Sequence, residues 1–117
     1  MRHQPPEMPL ALGPYAYDHD HRADLFNAVS RSMTDAGYRI AVSQPSGGSL
    51  VAPIRTRVRH AELNVRVQLF REGWVGVTAD LPEHRGLARR VRNEAERLAV
   101  RIADDLEAGG FSIEVRQ

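Results

Sequence analysis

Trp74 is the only tryptophan of this 117-residue chain, and Phe70 stands four positions before it. Arg66 and Gln68 precede Phe70 at alternate positions, the spacing that puts side chains on one face of a β-strand. Joined by a short turn, Phe70 and Trp74 would face each other across a hairpin, with Asn64, Thr78 and Asp80 on the same side. An aromatic pair on an outer sheet face is costly to leave wet, and such patches mark interfaces. Three coverings fit it: the chain's own termini, a partner protein or second copy, or stacked bases. Phe70, Trp74, Arg66 and Gln68 are therefore the candidate protein interface.

Arg55, Arg57 and Arg59 alternate with Ile54, Thr56 and Val58, so an extended backbone points all three guanidinium groups one way. Together with Arg66 and the two rings, they are suited to single-stranded nucleic acid, arginines meeting phosphates and rings meeting bases. Glu62 and Asp80 oppose that reading by repelling phosphate, and the competing one is a strand edge guarded by charge. A further arginine strip, Arg85, Arg89 and Arg92 flanked by Arg90, Arg97 and Arg101, is interleaved with Glu94, Glu96, Asp104 and Asp105. Ion pairs three or four residues apart make that strip a solvated helix face.

His19 and His21 lie in the run Asp18-His19-Asp20-His21. On an extended segment both imidazoles point the same way, as a metal site requires, with carboxylates to ligate or orient them. The alternative is a helix start in a solvated loop. No P-loop, dinucleotide fingerprint, nucleophile elbow or zinc-protease helix occurs. Gly47-Gly48 reads as a plain turn, and nothing marks His84 with Glu83 as an acid–base pair. No cofactor is implied, and the reading leans away from an enzyme.

The chain that must position these groups has 42% hydrophobic and 26% charged residues, values of a globular domain. The absence of cysteine removes disulfides, thiolate nucleophiles and Cys-ligated metals. All 16 basic residues are arginine, which codon usage in a GC-rich genome accounts for. A net charge of +1 supplies no field to steer the chain to nucleic acid or membrane. No apolar stretch serves as a secretory or spanning segment, so a cytoplasmic location is expected.

Residues 1–17 contain Pro5, Pro6, Pro9 and Pro14 and read as an extended lead-in, with room for a short edge strand. Residues 18–117 are expected to form a single domain. Leu25, Val29, Met33 and Ala36 form one stripe of a helix over 20–36, stopped by Gly37. A strand is expected over 39–43, and a second strand or extended segment over 50–59, where Pro53 argues for an edge or bulge. Alternation predicts strands over 61–69 and 75–81. Leu87, Val91, Ala95, Leu98, Ile102 and Leu106 predict a helix over 83–108, ended by Gly109-Gly110, and a last strand follows over 111–116.

The hairpin register follows from burial alone. A two-residue turn would set Leu69 against Gly76 and Val67 against Thr78, apolar against polar. A three-residue loop, Arg71-Glu72-Gly73, pairs Leu69 with Val75, Val67 with Val77, Val65 with Ala79 and Leu63 with Leu81. Gly73 suits the left-handed position such a loop needs.

The expected fold is α+β: a two-layer sandwich in α-β-β-β-α-β order, both helices on one face of a mostly antiparallel sheet. The α-β-β-β-α stretch is similar in element order to double-stranded-RNA-binding domains. No lysine cluster opens the second helix and the last strand is additional, so that order carries no function. The function expected is a small non-enzymatic binding or regulatory module acting through its open sheet face on a protein, including its own copy. Nucleic-acid binding is the alternative, and a small enzyme or metal-binding protein is the third reading.

Overall fold

In the computed structural model, residues 10–12, 19–54, 63–70, 74–111 and 113–115 are described; for 10–12, 19–22, 74 and 113–115 the description is of backbone. The elements are β1 (Leu10–Leu12), α1 (His19–Asp35), β2 (Val42–Gln44), β3 (Ser49–Pro53), β4 (Asn64–Leu69), β5 (Trp74–Ala79), α2 (Arg85–Ala108) and β6 (Ile113–Val115). The fold is α+β, with both amphipathic helices contributing to one core against an antiparallel sheet.

Four strands, not three, lie between the helices. Gly48 adopts φ 70° and its N–H donates to Pro45 O at 3.2 Å, closing a turn that makes β2 and β3 a hairpin. The 50–59 stretch is thus a ladder strand at its start. Pro53, which has no N–H to give, is its last residue, opposite Asn64. The sheet order is β2-β3-β4-β5-β1-β6, with every neighbouring pair antiparallel. β1 is therefore an interior strand rather than an edge: Leu10 stands between Val75 and Val115.

The β4–β5 register is the one that burial requires. Leu69 pairs with Val75, Val67 with Val77 and Val65 with Ala79. Asp80 N–H donates to Asn64 O at 3.0 Å, extending the same register one step. All six core-facing residues are buried, as are Leu50 and Ala52 of β3. From the helices, Leu25, Phe26, Val29, Met33, Val91, Ala95, Leu98, Ile102 and Leu106 complete the core.

The helices touch through two polar links as well. Ser32, 2% exposed, donates its hydroxyl to Asp105 Oδ2 at 2.6 Å, and Tyr38 donates to Glu94 Oε2 at 2.7 Å. A buried hydroxyl without such an acceptor would cost about 1–3 kcal/mol.

Both helices end in the same way. Tyr38 N–H donates to Met33 O and Gly37 N–H to Thr34 O; Phe111 N–H donates to Leu106 O and Gly110 N–H to Glu107 O. These are Schellman pairs, with Gly37 (φ 94°) and Gly110 (φ 96°) in the left-handed region. At Gly110 an added Cβ would meet no atom within 4 Å, so any penalty there comes from the backbone alone. Gly110→Ala should therefore lower unfolding stability by about 1–2 kcal/mol in urea titration. Gly109→Ala, at φ −82°, should cost much less. Equal losses would mean that the left-handed cap is not what ends α2.

Candidate binding face

The sheet face away from the helices is built by the residues alternating with the core. One cross-strand row runs Val42, Val51, Arg66, Thr78, and the next runs Gln44, Ser49, Gln68, Gly76. Phe70 follows β4 directly. It is 45% exposed, and Val42 is 41% exposed.

The ring of Phe70 is braced on a glycine. A Cβ added at Gly76 would lie 2.9 Å from Phe70 Cε2, so only glycine leaves room for the ring to lie across β5. Gly76 is itself buried. An aromatic ring over a strand glycine shields backbone that lacks a side chain of its own. The sequence holds the signal for this: one glycine inside the alternating run Val75-Gly76-Val77, on the polar parity, across from Gln68. The same register, continued one step, sets position 70 across from position 74. Trp74 opens β5 and pairs with Ala11, and its side chain lies outside the described residues.

Gln68 is committed to the scaffold. Its Nε2 donates to Gly47 O at 2.7 Å and to Leu69 O at 3.3 Å, tying the β2–β3 turn to β4. Arg66 Nε lies 3.5 Å from Asp80 Oδ1, both side chains being substantially exposed. Asp80 Oδ2 in turn accepts from Asn64 N–H at 3.1 Å. Asp80, expected only to repel phosphate, therefore partners Arg66 directly. Arg55, Arg57 and Arg59 lie outside the described residues.

The histidines differ from expectation in their backbone. α1 begins at His19, so His19 and His21 are helical, and helix positions two apart stand about 200° apart around the axis. The extended geometry that would align the two imidazoles is absent. Their side chains lie outside the described residues. Among the described residues, no three His, Asp or Glu side chains gather as metal ligands.

His84 has a structural task. It is the N-cap of α2, its Nδ1 accepting from Leu87 N–H at 3.2 Å. Arg85, Arg89, Arg90, Arg92, Arg97 and Arg101 are all exposed, and Arg101 Nε pairs with Asp105 Oδ2 at 3.6 Å, one turn away. Among the described residues, no helix is long and apolar enough to cross a membrane.

No protein-family model matches the chain, and no curated protein matches it.

The Phe70–Gly76 contact can be tested by a double-mutant cycle. Gly76→Ala alone should destabilise by about 1–3 kcal/mol through overpacking against the ring. In a Phe70→Ala background the same change should be neutral or stabilising by about 0.5–1 kcal/mol, since alanine suits a strand better than glycine. Additive effects in urea denaturation would show that the ring does not rest on Gly76.

Proposed function

We propose that this chain is a small binding module that acts by contact, its open sheet face docking a partner protein. The observation that carries the reading is Phe70: a large apolar ring, nearly half exposed, lying across a glycine of the neighbouring strand. Exposed aromatic rings on a rigid sheet are favoured as interface anchors. Arg66 and Asp80 flank it with a charged pair, the composition of an interface rim around an aromatic centre. Val42 adds a second exposed apolar side chain to the same face.

Nucleic acid is the less favoured ligand for this face. The one described arginine on it, Arg66, already has Asp80 as its partner, and a carboxylate there opposes phosphate.

Two measurements test the reading. Affinity capture from the source cells, comparing wild type with Phe70→Arg, should identify a protein that the variant no longer holds. The purified pair should then bind directly, with Phe70→Arg weakening the complex at least about tenfold, as for an interface anchor. The variant should keep the wild-type far-UV circular dichroism, because Phe70 is outside the core. Fluorescence anisotropy with short labelled RNA and DNA should show no saturable binding at low salt. Salt-sensitive saturable binding, lost on Arg66→Ser, would transfer the face to nucleic acid.

A further inference from the structure

The outer face of α2 carries arginine at its start and carboxylate at its end, with both signs mixed between them at Glu94, Glu96, Arg97 and Arg101. Arg85, Arg89, Arg90 and Arg92 occupy the N-terminal third, and Asp104, Asp105 and Glu107 the C-terminal end. The first turn carries no acidic residue and the last turn no basic one. This is the reverse of what the helix dipole favours, since the N-terminus is its positive end. Each such charge in an end turn costs about 0.3–1 kcal/mol at low salt. Ion pairs one turn apart, such as Arg101 with Asp105, serve the middle of the helix, but neither Arg89 nor Glu107 has an oppositely charged residue three or four positions away within it.

The same arrangement is self-complementary. Arg89 and Glu107 are 18 positions apart, about five full turns, so they share one line along the helix about 27 Å apart. Between them on that side lie Asn93, Glu96 and Val100, all exposed, with Val100 at 48%. A two-fold axis perpendicular to the helix, passing between two copies of α2 at the level of Leu98, would set Arg89 of each copy against Glu107 of the other. The two macrodipoles would then also run antiparallel.

We infer that α2 is a self-association surface, on which a second copy of this chain packs its own α2 antiparallel, arginine-rich start against acidic end. Val100 and the aliphatic stems of the central arginines supply the apolar contact, and the Arg89–Glu107 pairs set the direction. This surface is on the helix layer, opposite the sheet face proposed above for a partner protein, so one copy can use both.

Sedimentation velocity of the full chain tests the inference, with Arg89→Glu, Glu107→Arg and the combined variant. The wild type should form dimers that weaken as salt rises from about 0.05 to 0.5 M, where screening shortens to a few ångströms. Each single reversal should weaken the dimer about tenfold or more, because two symmetric pairs become repulsive. The combined reversal should restore it. Glu107→Arg moves a charge to the side the dipole prefers, and Arg89→Glu sets a carboxylate one turn from Arg85, so the thermal stability of both at monomer concentrations should not fall. Unfolding therefore cannot imitate the expected result. A wild type that stays monomeric at low salt overturns the inference. So does a dimer indifferent to both reversals, or one lost instead in Phe70→Arg, which would assign self-association to the sheet face.

Discussion

The pairing of Leu69 with Val75 sets the parity of the whole sheet. Side chains alternate across a strand, so one pair in register decides which residues of β4 and β5 enter the core. Here it sends Val65, Val67, Leu69, Val75 and Val77 inward, all essentially without solvent exposure. Burying a side chain of that size contributes about 1.5–3 kcal/mol, so these five together are worth roughly as much as the net stability of a typical domain. A slip of one residue would forfeit that and place Arg66 and Gln68 in the core. β3 inherits the parity through Leu50 and Ala52, and the backbone of β1 is set in register by the pairing of Leu10 with Val75.

The open face is the complement of that choice. Its polar members serve the scaffold: Gln68 holds the β2–β3 turn, and Asp80 takes both Arg66 and the Asn64 N–H. Among the described residues of this face, Phe70 is the exposed aromatic side chain, with Val42 a smaller exposed apolar one. Glycine at position 76 gives up about 0.5–1 kcal/mol of strand stability relative to alanine, and in return leaves a seat for the ring. The outcome is an aromatic ring that is exposed and lies against the backbone of β5.

α2 is held by packing and works against its own electrostatics. Seven of its residues are buried, and Asp105 and Glu94 join it to Ser32 and Tyr38. Against that burial, arginines near the start and carboxylates near the end cost little each. Frustration of this kind persists where it does not threaten the fold, and it leaves the two ends of the exposed face opposite in charge.

Periodicity was enough to read the elements that bury apolar surface: the helical stripes from Leu25 to Met33 and from Val91 to Leu106, and the hairpin register from Val65 to Ala79. Gly37 and Gly110 marked the helix ends, because few other residues tolerate the left-handed backbone there. Burial is a property of each side chain with its own spacing, so one strand or helix suffices to reveal it. Contacts between elements distant in sequence carry no such spacing. The place of Leu10–Leu12 inside the sheet, the Ser32–Asp105 bond across 73 positions, the tie from Gln68 to Gly47 and the seat of Phe70 on Gly76 were decided only by tertiary structure. Each depends on which backbone is brought alongside which, and local sequence does not encode that separation.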